Sequence, residues 1–373
     1  MRRRKTHDRH LTVGALAYTD LSTLARVSKL NEGTKVPSAP TFYVVPGSTV
    51  KRVIDDNRKQ VFDAVEAAYR LHTSGDTVNP DSYFLRYPDK PSARIIALPA
   101  HLGGAVQRSG IKWISSFPEN RASNLARASA VLILNDATTG YPLACIEASL
   151  ISATRTAASA ALAAEHISPN PFEGSLGVIG TGVIARTAIE WLFFRNWKFH
   201  KISLFDLDRE EAEHFSKWLR DQHNLEAYIQ DRLEDTVSDA SLILFTTTTL
   251  DPYLVDEKLF EHSPTVLHLS LRDICVNVIL ASQNIVDDVE HCLKARTSLH
   301  LAEIATRNRD FVSGTLVDVL EKKFKLDEDR PRIFSPFGLG VLDLAVGNFV
   351  LEAAKSSNAA IGLSDFFSNS ARW

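Results

Sequence analysis

The hydrophobic residues in the middle of the chain form short runs that alternate with segments of helical periodicity. Four apolar runs predict buried strands, at residues 176–180, 201–206, 242–247 and 265–270, with helices between them. Strands that alternate with helices in this way are typical of a parallel sheet covered by helices on both faces. The pattern therefore predicts an α/β fold with a doubly wound parallel sheet.

The first part of the chain has a different pattern. Apolar residues recur at helical spacing from residue 56 to residue 71, and strand-like stretches follow. These stretches are Tyr83–Leu85, Arg94–Leu98, Ile111–Ile114, Ala130–Leu134 and Tyr141–Cys145, the last two joined by the turn 135–140. This hairpin-rich region predicts an α+β domain for substrate binding and dimerisation.

Two proline-marked segments suggest where one domain gives way to the other. Ser168–Gly174 precedes the first strand of the parallel sheet, and Leu326–Arg332 follows the last. We therefore expect residues 168–332 to form the parallel-sheet domain and residues 1–167 to form the other. The strand and helix predicted within 333–373 return to that first domain.

A glycine turn between a strand and a helix gives the strongest functional signal. Gly180 allows a tight turn, and Gly182 lacks a Cβ, so the backbone can approach a pyrophosphate at the helix N-terminus. This is the start of a Rossmann unit that binds a dinucleotide; the alternative is an ordinary strand–helix turn with incidental glycines. The cofactor contacts expected from the turn are Gly180, Thr181, Gly182, Val183 and Ile184.

An acid after the second strand favours NAD over NADP. Asp206 follows the glycines by roughly 20 residues, where a carboxylate can bind the ribose 2′-hydroxyl. Asp208 would add repulsion against a 2′-phosphate, whereas Arg209 argues for NADP. Thr246 and Thr247 end the third strand of the sheet, where they could either touch the dinucleotide or simply cap the strand.

Lone charges in apolar surroundings are candidates for substrate binding. Arg155 is the only charged residue from Ala148 to Ala164, in a helix of small residues, and a buried guanidinium needs an anion. That anion could be a substrate carboxylate or a structural Asp or Glu. Lys112, between Ile111 and Trp113, could face a ligand or be the solvent-facing residue of an edge strand; from the residues alone we favour the second.

Three further positions have both a functional and a structural interpretation. Asp273 follows the strand at 265–270 and could act as a general base at the mouth of a cleft, or as a helix N-cap. Arg86 and Arg94 could bind a second carboxylate or lie on the surface. His268, within the strand, is expected to be a satisfied core histidine.

Composition narrows the protein class. The chain has 373 residues, 45% of them hydrophobic, and a net charge of −3, which gives no bias toward nucleic acid or a membrane surface. The three cysteines are scattered, which fits buried thiols in a reducing, cytoplasmic environment better than disulfides or a metal site. The basic residues 1–5, followed by an apolar stretch that Asp20 interrupts, predict a flexible start rather than a signal peptide.

Several of these motifs occur together in the order found in one known family. Gly110-Ile-Lys-Trp-Ile114, Thr139-Gly-Tyr-Pro142, Arg155-Thr-Ala-Ala158 and the Gly180-Thr-Gly182 turn resemble the ornithine cyclodeaminase/μ-crystallin family from about residue 60 to about residue 355. The segments 94–101, 127–136 and 147–158 are most similar to its 2,3-diaminopropionate-forming dehydrogenases of siderophore and peptide-antibiotic pathways. The resemblance implies a homodimer.

The resemblance also implies roles for single residues. Lys112 matches the family's active-site lysine, Arg155 its carboxylate-binding arginine and Asp273 its catalytic aspartate, although Ser270-Leu-Arg-Asp273 departs from the glycine-containing segment of the cyclodeaminases. Arg86 is similar to a second carboxylate-binding arginine, with Arg94 as the alternative. Further contacts with NAD are implied for Ser129 and Thr156.

The expected reaction is the NAD-dependent oxidative hydrolysis of a secondary amine that joins a glutamate unit to diaminopropionate. NADH, 2-oxoglutarate and L-2,3-diaminopropionate would be released. Other activities in the same family remain open: an ornithine or lysine cyclodeaminase, an imine or ketimine reductase, or a μ-crystallin-like protein that binds a nucleotide with little turnover. The fate of NADH distinguishes the four activities: the diaminopropionate-forming dehydrogenase forms NADH, a cyclodeaminase recycles it, a reductase consumes it, and a binding protein only holds it.

Overall fold

A computed structural model describes residues 40–367 of the chain. The basic start and the apolar stretch near Asp20 lie outside these residues. Within the described part, no helix is both long enough and apolar enough to cross a membrane. Its three cysteines are free thiols; Cys292 is buried as expected, whereas Cys145 and Cys275 are only half-buried.

The N-terminal elements build one sheet and the helices that pack on it. A 3₁₀ turn at Pro118–Ser123 separates β5 from β6. In chain order the elements are β1 (Phe42–Val45), α1 (Gly47–Asp56), α2 (Arg58–Thr73), β2 (Thr77–Val78), β3 (Tyr83–Tyr87), β4 (Lys90–Leu102), β5 (Arg108–Ser116), β6 (Ala128–Asp136), β7 (Pro142–Glu147) and α3 (Ser149–Ile167).

The middle of the chain builds a second sheet. A further 3₁₀ turn lies at Glu257–Phe260. The elements are β8 (Glu173–Ile179), α4 (Val183–Phe194), β9 (Lys198–Phe205), α5 (Arg209–His223), β10 (Tyr228–Ile229), α6 (Leu233–Val237), β11 (Leu242–Phe245), β12 (Thr265–His268), α7 (Val276–Ala281), β13 (Gln283–Val286), α8 (Val289–Cys292), α9 (Ser298–Thr306), β14 (Val312–Thr315), α10 (Leu316–Leu320) and β15 (Arg332–Ser335).

The last elements return to the first sheet. Helix α11 (Gly340–Ser356) packs on β4, β5 and β6, and β16 (Ile361–Leu363) pairs antiparallel with β1. The expected boundary at residue 332 cuts through β15, whose four residues all belong to the second sheet between β12 and β13. The assignment of separate substrate and nucleotide domains remains a prediction.

The strand orders confirm the predicted fold class. The second sheet is parallel throughout, in the order β10-β9-β8-β11-β12-β15-β13-β14. The first sheet is mixed: β4, β5, β6 and β7 form an antiparallel meander, and β1 joins β7 in parallel. In the second sheet, β8, β9 and β10 follow one another toward one edge, whereas β11 and β12 follow one another toward the other edge. The order of the strands therefore reverses between β8 and β11, and ligands bind at the carboxyl ends of the strands at such a point.

Helix α3 connects the two sheets. It contacts β6 of the first sheet, β12 and β15 of the second, and helices α4 and α11. Its alanines at 157, 158, 160, 161, 163 and 164 are fully buried. Small side chains let neighbouring backbones approach this helix from several directions, so α3 can carry a polar residue to the boundary between the two sheets.

Helix α11 is held close to the first sheet by glycines. A Cβ at Gly110 of β5 would lie 2.3 Å from the carbonyl oxygen of Ile133 and 2.8 Å from Leu344 of α11. A Cβ at Gly347 of α11 would overlap the side chain of Leu132 of β6. This close packing brings the side chain at residue 343 against β5. The helix predicted at 56–71 is α2 (Arg58–Thr73), and Asp56 ends the separate helix α1, which the pattern did not predict.

Candidate active site

A buried carboxylate on α11 binds two cations from different elements. Asp343 is fully buried, and its carboxylate lies 2.7 Å from Nζ of Lys112 on β5 and 3.3 Å from Nε of Arg155 on α3. The Lys112 ammonium also donates a hydrogen bond of 3.0 Å to Oγ of Ser152, one turn before Arg155. The three elements therefore meet at a single charged group.

The structure shows which alternative holds for each cation. Lys112 is only 2% exposed and lies on an internal strand, so the expectation of a solvent-facing edge-strand lysine is wrong. Arg155 has a structural carboxylate partner, but through Nε alone. Among residues 40–367, its terminal guanidinium nitrogens donate no hydrogen bond to a side chain or backbone acceptor, so they remain available to a ligand.

Burial sets the protonation of the lysine. Loss of hydration lowers the pKa of Lys112 to about 8, with Asp343 opposing the shift and the Arg155 charge adding to it. The Lys112 side chain is therefore a charged ammonium at neutral pH, and it loses its proton at a pH only slightly above neutral.

The loop after β15 covers the arginine. Gly338 has a φ of +94°, and a Cβ there would lie 2.4 Å from a terminal nitrogen of Arg155. The buried carboxylate of Asp287 accepts hydrogen bonds from the backbone N–H groups of Phe337 and Gly338, at 2.9 and 2.7 Å. Only a residue without a side chain fits between Asp287 and the guanidinium.

The glycine turn has the geometry that its sequence predicts. Gly180 has a φ of +85°, and a Cβ there would lie 3.0 Å from the backbone of Thr246. A Cβ at Gly182, in contrast, would meet no atom within 4 Å, and Gly182 is the N-cap of α4. The free space beside the helix N-terminus is where a pyrophosphate could approach.

Asp206 lies beside this turn, at the end of β9. Its carboxylate accepts hydrogen bonds from the backbone N–H and the hydroxyl of Thr181, at 2.7 and 2.9 Å. The carboxylate is half-buried and keeps the turn ordered. Asp208 is the N-cap of α5, and Arg209 pairs with Asp231 and Glu213. The observed partners of both residues therefore lie outside the glycine turn.

The two threonines after β11 have different partners. The hydroxyl of Thr246 donates to the carbonyl of Gly180 at 2.6 Å, which supports the strand-capping interpretation for that residue. The hydroxyl of Thr247 donates to the carboxylate of Asp273. The threonine pair therefore connects the glycine turn with the loop that follows β12.

Asp273 is surrounded by donors. Its carboxylate accepts hydrogen bonds from the hydroxyls of Thr247, Ser270 and Tyr253, the last at 2.9 Å, and lies 3.2 Å from Nε2 of His268. Burial acts to raise the pKa of Asp273, but the bonds from His268, Ser270 and Thr247 outweigh it and lower the pKa to about 2.

This environment corrects two expectations for Asp273. The carboxylate is fully buried rather than at an open cleft mouth, and a pKa of about 2 makes it a weak proton acceptor at neutral pH. It is also not a helix cap, since Cys275 is the N-cap of α7. His268 is a buried histidine with two partners, Asp273 and Ser335, as its strand position suggested.

The remaining expected residues lie at the rim or on the helix. Arg86 and Arg94 face each other across β3 and β4 and form no ion pair with an acid of residues 40–367. Ser129 is exposed and shares a hydrogen bond of 2.8 Å with Ser115, and Thr156 donates to the carbonyl of Ser152. Val183 and Ile184 open α4, with Val183 71% exposed.

The structure adds residues that the sequence reasoning missed. Asp343 is the chief one, and its signal was available: it is the only charged residue from Gly340 to Val350, just as Arg155 is the only one in its own helix segment. Ser270 lies three residues before Asp273 in the same loop, whereas Tyr253 gave no comparable signal, because it contacts Asp273 from 20 residues earlier in the chain.

The chain is similar to known proteins over most of its length. The model of the ornithine cyclodeaminase/mu-crystallin family matches residues 48–358. The N-((2S)-2-amino-2-carboxyethyl)-L-glutamate dehydrogenase of Staphylococcus aureus is 28% identical over 81% of this chain and 92% of its own.

Solved structures share the fold across nearly the whole described chain. The Δ(1)-pyrroline-2-carboxylate reductase of Thermococcus litoralis, in complex with NADH and L-proline, has a TM-score of 0.79 at 20% identity, over 86% of this chain and all of its own. An archaeal alanine dehydrogenase dimer with bound NAD has a TM-score of 0.77 at 24% identity, over 88% and 100%. Since the family model covers most of the chain, the protein belongs to the ornithine cyclodeaminase/mu-crystallin family.

Proposed function

We propose that the protein catalyses the NAD-dependent oxidative hydrolysis of N-((2S)-2-amino-2-carboxyethyl)-L-glutamate. NAD and water would be consumed, and 2-oxoglutarate, L-2,3-diaminopropionate and NADH released. The observation that carries the proposal is the cluster of Lys112 and Arg155 on Asp343, in a chain whose second sheet begins with a dinucleotide-type turn. The similarity to the staphylococcal dehydrogenase supports this choice of amine.

The second sheet has the features that NAD requires. Gly182 leaves free space at the N-terminus of α4 for the pyrophosphate, and Asp206 offers a carboxylate at the end of β9 for a ribose hydroxyl. Thr247, with Ser129 and Thr156 from the first part of the chain, would complete the contacts. When bound, NAD would accept the hydride from the α-carbon of the glutamate unit.

Lys112 and Arg155 would hold a carboxylate of the amine. Two cations share one buried carboxylate, so an excess of one positive charge remains at this point. The terminal nitrogens of Arg155 can bind a carboxylate through two parallel hydrogen bonds. A substrate held at both cations is fixed in orientation, which is the main requirement for transfer from one defined C–H bond.

Asp273 would act through the groups that it orients. The carboxylate stays ionised at neutral pH and fixes the hydroxyls of Thr247 and Tyr253 at the edge of the second sheet. Burial raises the pKa of Tyr253, so this hydroxyl keeps the proton that it donates to Asp273, and its oxygen can accept a hydrogen bond from a water or from the amine N–H. We therefore assign Asp273 the role of positioning the attacking water through these hydroxyls, and not the role of the base that deprotonates the water.

A second copy of the chain would cover the outer face of the first sheet. Tyr83, Ala97, Trp113 and Val131 lie in one row across β3, β4, β5 and β6, and the side chains of Tyr83 and Trp113 are 70% and 42% exposed. An apolar row of this kind is typical of a protein interface. A homodimer agrees with the dimeric state of the archaeal alanine dehydrogenase of similar fold.

The reaction is tested by mixing the purified protein with NAD and the synthetic amine and following NADH absorbance. We expect one NADH for each 2-oxoglutarate and each diaminopropionate, identified by mass spectrometry. Arg155→Gln should reduce this rate strongly while leaving NADH binding unchanged; Arg52→Gln, on the exposed face of α1, is the matched control.

Other outcomes would replace the proposed reaction. Proline formed from ornithine without net NADH would identify a cyclodeaminase, and oxidation of NADH by a cyclic imine would identify a reductase. Tight NADH binding without turnover of any of these compounds would leave a binding protein.

The pKa of Lys112 predicts how the rate depends on pH. Because a carboxylate binds to the charged ammonium, kcat/KM should fall as the pH rises through about 8. Asp343 raises the pKa of Lys112, so in Asp343→Asn the fall should begin at lower pH. In Lys112→Met this fall in kcat/KM should be absent. Lys59 is an exposed lysine of α2, and Lys59→Met should keep the fall. A rate that instead increases through pH 8 would make Lys112 a base.

Cofactor binding depends on Asp206. Its replacement in Asp206→Ala removes both the ribose acceptor and the bonds that order Thr181, so NADH should bind ~10-fold more weakly or worse. Fluorescence titration with NADH measures the affinity. Asp239→Ala, which removes an exposed partner of Lys201, is the control. Equal affinity of wild type and Asp206→Ala would exclude the proposed ribose contact.

The dimer is tested by light scattering at micromolar concentration. We expect a dimer for the wild type and a monomer for Trp113→Glu, because the new carboxylate would be buried in the interface. Ile304→Glu changes an apolar residue of α9 that is more exposed than Trp113, and this variant should remain dimeric. A monomeric wild type would contradict the proposed interface.

A further inference from the structure

Four arginines converge where the first sheet faces the loop after β12. Arg86 and Arg94 face each other on β3 and β4, and Arg94 also faces Ser116 of β5. The hydroxyl of Ser116 accepts a hydrogen bond of 2.9 Å from Arg127, which lies just before β6. Arg272, from the other sheet, precedes Asp273 and is close enough to Arg94 and Arg86 for their charges to act on it.

These arginines repel one another. Burial, followed by the charge of Arg86, lowers the pKa of Arg94; burial, followed by Arg94 and Arg121, lowers that of Arg127. Burial is also the main cause of the lowered pKa of Arg272, with contributions from Arg94 and Arg86 that Asp273 partly offsets. Half-buried cations in mutual repulsion are unfavourable unless an anion joins them.

The protein supplies little compensation. No Asp or Glu among residues 40–367 forms an ion pair with Arg86, Arg94, Arg127 or Arg272. Arg127 donates to a serine hydroxyl, and Arg272 to the carbonyl of Ala295 at 2.8 Å. Asp273 is the nearest acid in sequence, but its carboxylate already accepts hydrogen bonds from three hydroxyls.

The four arginines differ from Lys112 and Arg155 in having no carboxylate partner among residues 40–367. Lys112 and Arg155 share the carboxylate of Asp343, so that pair can accept one further negative charge. A second carboxylate of the same ligand would be repelled by Asp343 there. The uncompensated arginines lie instead on β3 and β4, just before β6, and directly before Asp273.

We propose that Arg94, Arg127 and Arg272 form a second carboxylate subsite that selects amines and oxoacids with an additional carboxylate. The inference rests on the proposed function, since it assumes that Lys112 and Arg155 bind the first carboxylate. It assigns Arg127 and Arg272 to substrate selection and places Arg86 at the exposed rim. The ligand class is a dicarboxylate or tricarboxylate, in contrast to a monocarboxylic amino acid.

Binding of two oxoacids tests the subsite without any need for turnover. 2-Oxoglutarate and pyruvate differ by the additional carboxylate, and each is titrated by calorimetry into the complex of the protein with NADH. The wild type should bind 2-oxoglutarate more tightly than pyruvate. Arg127→Gln and Arg272→Gln should each weaken 2-oxoglutarate ~10-fold or more and change pyruvate less than twofold. Arg127→Lys should restore part of the difference, and Arg52→Gln should match the wild type.

Thermal stability separates binding from a structural role. Because the arginines repel each other, the melting temperature of the free Arg272→Gln protein should equal or exceed that of the wild type. A clear decrease, with both oxoacids weakened alike, would make Arg272 structural and overturn the proposal. Weaker NADPH or NADH binding with unchanged discrimination between oxoacids would assign the cluster to a dinucleotide phosphate instead.

The two proposals fail in different ways. If the wild type does not turn over the glutamate-derived amine but still prefers 2-oxoglutarate to pyruvate through Arg127 and Arg272, the reaction is wrong and the subsite stands. If the amine is turned over and both glutamine variants keep the wild-type KM and the wild-type preference, the reaction stands and the subsite is excluded.

Discussion

The buried carboxylate of Asp343 is the contact on which the candidate site depends. It joins β5, α3 and α11 through Lys112 and Arg155, three elements that are distant in sequence. Removing one partner of such a buried group typically costs about 3–5 kcal/mol, because the remaining charges stay dehydrated and unpaired. The close packing of α11 at Gly110 and the small residues of α3 allow this contact, so the fold and the charge cluster support each other.

The fold was largely predictable because its signals are local. Alternating strands and helices gave the parallel sheet, and the spacing of Gly180 and Gly182 gave the turn at its centre. Strands such as β13 and β14 were not predicted, since short segments owe their pairing to neighbours that are remote in sequence. Helix α1 was likewise not predicted, whereas the bounds predicted for α2 are within two residues of the observed ones.

The site was predictable only in part, for the same reason. The lone charge of Arg155 in an apolar helix indicated a buried partner, but Asp343, the partner that the structure shows, was missed although it is just as isolated in its own helix. The orientation of Lys112 could not be read from alternation, because a strand covered on one face by α11 and a strand at a sheet edge have the same local pattern. The environment of Asp273 depends on Thr247 and Tyr253, which contact it from 26 and 20 residues away in the sequence.

Charge balance across the cleft explains how one scaffold can serve different substrates. The cluster at Asp343 keeps a single excess positive charge, which suits the one carboxylate that every amino acid carries. Any additional carboxylate needs compensation elsewhere, and burying it without a partner would be costly. Arg127 and Arg272 lie on different sheets, so a ligand that binds both would also hold the two sheets together around the reacting carbon.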